Sequence, residues 1–384
     1  MELYEERVKE KGKRKADLRF VLDVLLLFRP GIIKPTEGYQ NLNTYGMYKN
    51  YFVTAWRNVV RKKSSAAINV FGLTLGITCA LIIFALVNYH LSFDDFHSDV
   101  DRIYRFVTEE HRDEIEYDNS VPPPFGKFFR DDYTFSENTA RHCIEGNELI
   151  TIEENGESKK FNETISFAEP ELFKIFSFPL LVGNPQTILV DPNTAVITEN
   201  IAAKYFGDEP AIGKTIRLNN KIDFVVSGVL KNLPTNSDIQ TEIYFSYSTI
   251  KQYNEWYASD DAWGGITSSI KTYTKLKPGV NPADVEEAVD TYVKRFRPKS
   301  KNVHHYKLQP LNDVHFNARY EGVMSKTTIL VLSLVGMLLV LTASLNFINL
   351  TTAQAVNRSK EVGVRNSLGG ARSQLFWQFT IETG

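Results

Sequence analysis

Cysteine is nearly absent, with two among 384 residues, Cys79 and Cys143. So few thiols exclude a disulfide framework and any cysteine-based zinc site. Cys79 sits in a charge-free stretch, where it reads as a small apolar residue. Neither sign of charge is in excess: Lys plus Arg is 44 and Asp plus Glu is 46, for a formal net charge of −2. A nucleic-acid binder would carry a basic surplus, so nucleic acid is not an expected partner. Histidine is scarce at seven, and His304-His305 is the one adjacent pair. Neighbours on a strand point to opposite faces, so this pair does not converge on one ion. There is no Ser-His-Asp set, no metal-hydrolase signature and no patterned pair of carboxylates. The chain therefore reads as a non-enzyme, with no catalytic, cofactor or metal residue assigned.

Charge is also missing locally. Ser64–Phe93 and Thr327–Asn357 contain no Asp, Glu, Lys or Arg. A helix crosses a hydrocarbon core of ~30 Å with about 20 apolar residues, so both stretches are long enough to span a membrane. Before the first lie Lys49, Arg57, Arg61, Lys62 and Lys63; after it come Asp94, Asp95, Asp99 and Asp101. Arg358, Lys360, Arg365 and Arg372 follow the second. Basic residues stay on the cytoplasmic side, so both ends are expected inside and residues 94–326 outside. The four aspartates read as a solvated acidic cap; their spacing does not fit a twelve-residue calcium loop.

Residues 1–47 form a prefix rich in charge, with an apolar run from Phe20 to Phe28. Asp23 interrupts that run and no small-residue cleavage site follows, so a short amphipathic helix ended by Arg29-Pro30-Gly31 is expected rather than a cleaved signal. Residues 48–63 then form an entry helix.

The segment 94–326 mixes periods. Thr194–Thr198 is β-rich and precedes a helical Glu199–Phe206. Lys214–Leu218, Asn219-Asn220 and Lys221–Leu230 predict a hairpin. Ile270–Leu276 reads as a strand, and Asn281 is a natural cap for a helix beginning at Pro282 and running to about Phe296. His304–Leu308 returns as a strand. Interleaved helices and strands predict an α/β or α+β domain in two lobes. Gly207–Thr215 imitates a phosphate loop. However, five residues separate its glycines where the motif has four, and a strand follows in place of a helix. It reads as a helix-to-strand connection.

The most specific stretch is Arg358-Ser-Lys360-Glu361-Val362-Gly363-Val364-Arg365-Asn-Ser-Leu368-Gly369-Gly370, followed by Gln378-Phe379 and Glu382. It resembles the cytoplasmic segment of FtsX-like, MacB-type ABC transporter permeases, with Gly370 where the family usually has Ala. Trp56-Arg57-Asn58 and Asn69-Val-Phe71-Gly72 resemble the entry to their first span. Phe176-Ser-Phe-Pro, Tyr205-Phe-Gly207, Leu233-Pro-Thr-Asn-Ser237 and Leu308-Gln-Pro-Leu resemble their MacB-like periplasmic core domain. The resemblance covers roughly residues 48–384.

It implies an integral membrane α-helical protein of the bacterial inner membrane, with spans over 64–93 and 327–357 and a periplasmic domain over 94–326. Residues 358–384 would form a coupling helix and the start of a truncated third span. A separate cytoplasmic ABC ATPase would bind ATP, and a second permease half would complete a dimer or pseudo-dimer among membrane lipids. The implied work is export, efflux or mechanotransmission, with the chain as the N-terminal part of a longer permease. For ATPase coupling, Val362, Val364 and Leu368 would supply apolar anchors, while Arg358, Lys360, Glu361 and Arg365 set register by charge. Gly363 would allow close approach, and Gly369 would end the helix. The rival reading is a two-span receptor with an extracytoplasmic ligand-sensing domain.

Overall fold

The computed structural model describes residues 63–154, 156–299 and 303–367. The prefix, most of the entry segment, Leu368, Gly369 and the expected start of a third span lie outside the described residues. Residues 70–348 form one compact unit.

The chain begins its described course with α1, Lys63–Leu91, and a short 3-10 turn, Val100–Arg102. Then come β1 (Ile103–His111), β2 (Ile115–Asp118), α2 (Phe125–Asp132), β3 (Ser136–Glu154) and β4 (Glu157–Ala168). A helical turn α3 (Leu172–Ile175), β5 (Leu180–Val182), β6 (Thr194–Thr198) and α4 (Glu199–Phe206) follow. Next are β7 (Thr215–Leu218), β8 (Ile222–Leu230), β9 (Ile243–Ser246), α5 (Ile250–Tyr253) and β10 (Ile270–Leu276). The course closes with α6 (Pro282–Val289), α7 (Thr291–Phe296), β11 (Val303–Pro310), α8 (Leu311–Val314) and α9 (Lys326–Ser367).

The strands form one mixed sheet in the order β11-β1-β10-β3-β4-β9-β6-β8-β5, with β2 beside β1 and β7 bridging β3 and β8. The pairs β4–β9 and β6–β8 are parallel and the others antiparallel. Among the described residues the eleven strands thus form a single hydrogen-bonded network. The 19-residue β3 serves both ends of the sheet, pairing β10 with its first half and β7 with its second. A register shift between Glu145 and Glu148 lets the strand bend without breaking the ladder.

Local chemistry accounts for the turns. Asn219 and Asn220 both adopt the left-handed region, and Lys221 N–H donates to the Leu218 carbonyl at 2.9 Å. Asparagine tolerates that region, so the β7–β8 hairpin turns where two asparagines adjoin. Thr198 Oγ1 accepts from Ile201 N–H and caps α4, and Gly207 ends the helix with φ 59°. The phosphate-loop look-alike is thus a helix-to-strand connection. Asn281 accepts from Ala283 N–H, capping α6. The helix expected to reach Phe296 is interrupted at Asp290, where α6 gives way to α7.

Three apolar clusters fill the domain. One lies under α4 and α5, where Phe224 stacks on Phe245 at 4.0 Å. A second lies beneath α3 and α8 and includes Tyr244, Tyr273, Leu311 and Val314. The third is aromatic: Phe106, Phe125, Phe129, Trp263 and Tyr292 meet between β1 and the helices α2, α6 and α7.

A buried ion cluster ties these layers together. Glu169, 6% exposed, accepts from Arg141 N–H at 2.8 Å, from Arg141 Nη2 at 2.7 Å and from Arg130 Nη2 at 2.8 Å. Arg141 also lies 4.3 Å over the Tyr247 ring. Burial alone would push the Glu169 carboxyl upward, but the two guanidiniums outweigh it and hold the group well below the usual carboxylate range. Such a depressed group stabilises the fold above its unfolded pKa, and that contribution is lost as pH falls toward its folded value. Glu169→Gln leaves the buried Arg141 and the half-buried Arg130 short of a counter-charge and is expected to cost about 3–5 kcal/mol. Urea unfolding at pH 7 measures it, and the gap between variant and wild type should narrow in strong acid.

Candidate functional site

The residues that connect the apolar helices to the sheet form the most elaborately built polar site in the unit. Val70–Leu91 and Lys326–Asn349 are each long and apolar enough to cross a membrane. Their large side chains are largely uncovered, with Phe71 77%, Phe84 68% and Met337 61% exposed. They pack against each other in antiparallel register through small residues. A Cβ added to Gly76 would lie 3.2 Å from Ala343 Cβ, and one added to Gly336 would lie 3.2 Å from Ile83 Cγ2. Gly72 faces Asn346 one turn away. Small residues at these positions let the two helix backbones approach closely.

At the domain end of α1 the chain turns on Asp94, held with φ 56°. Its carboxylate is 2% exposed and accepts from Ser237 Oγ at 2.6 Å and from Asp238 N–H at 3.2 Å. The Asp94 N–H donates to the Asn236 carbonyl at 3.0 Å, and Asn236 Nδ2 donates to the Ser92 carbonyl at 2.7 Å. Tyr89 Oη donates to the Thr235 carbonyl at 2.7 Å. The segment 235–238 is thus a clasp around the exit of α1. The solvated acidic cap therefore needs correction. Asp95, Asp99 and Asp101 are exposed, whereas Asp94 is buried because the clasp supplies the hydrogen bonds that water would have given.

The approach to α9 is fastened to the same place. His315 is 3% exposed; its Nδ1 lies 2.9 Å from Asp238 Oδ1 and its Nε2 lies 2.8 Å from His90 Nδ1. Phe93 stacks on the His315 ring at 3.6 Å. A tight loop then leads to the helix. Gly322 N–H donates to the Asn317 carbonyl at 2.9 Å, and a Cβ on Gly322 would fall 2.5 Å from Asn317 N, so only glycine fits there. Lys326 Nζ pairs with Asp313 at 2.7 Å, and Ser325 Oγ accepts from Thr328 N–H at 3.0 Å.

Behind this loop lies a second polar set. Arg105 Nη2 donates to Gln309 at 2.7 Å and to the Tyr320 carbonyl at 3.1 Å. Lys271 donates to Asn119, which in turn donates to Glu321. Lys271 is 9% exposed, and burial, reinforced by the Arg105 charge, pushes its ammonium down to about 7.

His304 and His305 diverge as alternation requires. His304 Nε2 lies 3.0 Å from Glu110, while His305 Nδ1 lies 3.7 Å from Asp290. Of the residues expected to couple to an ATPase, Arg358, Lys360, Glu361, Val362, Gly363, Val364 and Arg365 fall in the continuation of α9. They do not begin a separate short helix, since α9 runs unbroken from Lys326 to Ser367. The clasp was not anticipated: the polar run Thr235-Asn236-Ser237-Asp238 reads locally as a loop, and Asp94 lies 143 residues from Ser237.

A sheet domain carried between two apolar helices fits a MacB-like ABC transporter permease. The model of the MacB-like periplasmic core domain matches residues 66–292, and the chain belongs to that family. It is similar to the probable syringafactin export ATP-binding/permease protein SyfD of Pseudomonas syringae pv. syringae, with 21% identity over 91% of this chain and 52% of the relative. It is also similar to the macrolide export ATP-binding/permease protein MacB of Neisseria meningitidis, with 24% identity over 50% of this chain and 28% of the relative. The chain thus spans about half or less of the length of these relatives. Among solved structures, the periplasmic region of MacB from Actinobacillus actinomycetemcomitans aligns with a TM-score of 0.39 and 15% identity, over 56% of this chain and 90% of that one.

Substitutions at two positions test this description. Asp94→Asn keeps a residue that tolerates the left-handed region and accepts a hydrogen bond, whereas Asp94→Ala strands Ser237 and should cost about 1.5–3 kcal/mol in chemical unfolding. Lys271 carries less proton in the fold than in the unfolded chain between about pH 7 and 10.5, so stability rises with pH across that window. Lys271→Met should remove this rise, about 2 kcal/mol between pH 7.5 and 9.5, as read from urea midpoints.

Proposed function

We propose that this chain is a permease component of an ABC transporter in the bacterial inner membrane, coupling ATP hydrolysis to movement of an extracytoplasmic domain. The observation that carries the reading is the family match, which runs from inside the first apolar helix through most of the sheet. The uncovered apolar side chains of α1 and α9 support insertion in lipid, since a core helix of a soluble domain would bury them. In this reading both helices cross the bilayer and residues 94–326 face the periplasm.

An ATPase binds and hydrolyses ATP on the cytoplasmic side; no phosphate loop is found in this sequence. Its closure acts on residues 358–369, where Val362, Val364 and Leu368 dock and Arg358, Lys360, Glu361 and Arg365 set register. Gly363 lies at the approach and Gly369 at the helix end. An unbroken helix above that segment transmits displacement to the loop 315–325 and so to the sheet. The two ATPase states do work only in so far as they grip this segment unequally. A second permease half completes the unit. The relatives are named for syringafactin export and macrolide export, and this chain is proposed to serve an export task of that kind.

Reversal of two charges, Lys360→Glu with Arg365→Glu, should reduce co-purification of the ATPase at least tenfold while the protein still fractionates with membranes. Undiminished co-purification removes the coupling role from this segment.

A further inference from the structure

The gap between His90 and His315 has a property that the permease reading does not use. His90 Nδ1 and His315 Nε2 stand 2.8 Å apart, and on the far side of the ring His315 Nδ1 stands 2.9 Å from Asp238 Oδ1. An imidazole nitrogen is either a donor or an acceptor, never both. A separation of 2.8 Å therefore holds one proton between the rings. With Asp238 ionised, His315 Nδ1–H donates to it, and the shared proton belongs either to His90 or to His315. With two protons in the gap, two N–H groups would face each other and the contact could not survive.

We propose that His90, His315 and Asp238 form a proton-gated clasp that positions the end of α1 against the approach to α9, closed with one proton between the imidazoles and opened by a second.

The surroundings hold the two rings in contact. His315 is buried, with Phe93 stacked on its face at 3.6 Å, so water cannot replace the His90 contact without moving the ring. The charged and titratable groups facing the set come from several elements. Asp94, at the exit of α1, faces Asp238, and His97 approaches Asp94 at 3.5 Å. Arg105 on β1 and Tyr273 on β10 lie on the sheet side, and Tyr89 lies one residue before His90. Burial raises the Asp238 carboxyl; His315 and Arg105 oppose that effect and Asp94 adds to it. A carboxylate thus stands on the far side of His315 from His90, and one shared proton lies in line between the rings, where two facing N–H groups would repel.

Opening breaks the direct His90–His315 tie between the end of α1 and the approach to α9, while Tyr89, Ser92 and Asp94 stay bonded to the segment 235–238. The consequence for transmission rests on the membrane-spanning reading proposed above: a more acidic exterior would loosen the joint through which movement reaches the sheet.

Hydrogen–deuterium exchange of the whole chain in lipid nanodiscs, corrected for intrinsic rates, reads the clasp without any ATPase. A failed permease reading would therefore leave this result untouched. In the wild type, protection of segments 88–97 and 315–325 is expected to fall at least tenfold between pH 7.5 and 5.5. His90→Gln keeps a hydrogen-bonding partner that does not titrate, so it should hold protection at both pH values. His90→Leu should show the low protection at both. Wild-type protection that does not change with pH, or a His90→Gln variant that loses protection in acid as the wild type does, overturns the proposal.

Discussion

The buried carboxylate of Asp94 is the constraint on which the rest of the arrangement hangs. A charge with 2% exposure persists only if protein donors replace its water, and Ser237 and the Asp238 N–H do so. Satisfying that one group fixes where the first apolar helix stops, because Asp94 turns the chain in the left-handed region. It also fixes where the segment after β8 lies, and hence where Asp238 can meet His315. From His315 the chain has only a glycine-tight loop before the second apolar helix. The two helices are thus located relative to the sheet by a few polar contacts rather than by apolar area.

The helix seam and the polar joint divide the work differently. Gly76 against Ala343 and Gly336 against Ile83 fix the spacing of the helices and their antiparallel register. They carry no charge and no preferred protonation state. The joint supplies orientation relative to the sheet, and its members titrate or exchange hydrogen bonds. Lys271 shows the same economy: a buried amine near neutrality is costly, yet it sits in a chain with Asn119 and Glu321 that pins the loop ahead of α9.

What the sequence made legible was local. The hairpin at Asn219-Asn220, the strand-then-helix at Thr194–Phe206 and the cap at Asn281 all depend on residues a few positions apart, and each formed as read. The family could be read from short motifs in the right order. The single sheet could not, because β3 runs on through a register shift at Glu145–Glu148 and its partners β10 and β7 lie far along the chain. The clasp could not either, since Ser237 and Asp94 are 143 residues apart and nothing near Asp94 announces a partner. Charge after an apolar helix reads as solvated by default; only tertiary structure shows which of four aspartates is sequestered. The residues proposed to couple to an ATPase were picked out by resemblance to a family motif.

The strand order has a consequence for how the domain is made. β1, the first strand after α1, pairs on one side with β10 and on the other with β11, the last strand before the loop to α9. During vectorial synthesis β1 must wait for nearly the whole domain before either long-range partner emerges, while β3 with β4 and β7 with β8 can close at once. Non-local closure of this kind is slow and leaves a pairing edge open meanwhile. The nascent chain therefore presents an incomplete sheet beside an already synthesised apolar helix, and the register of β1 is settled only as the second apolar helix is about to be made.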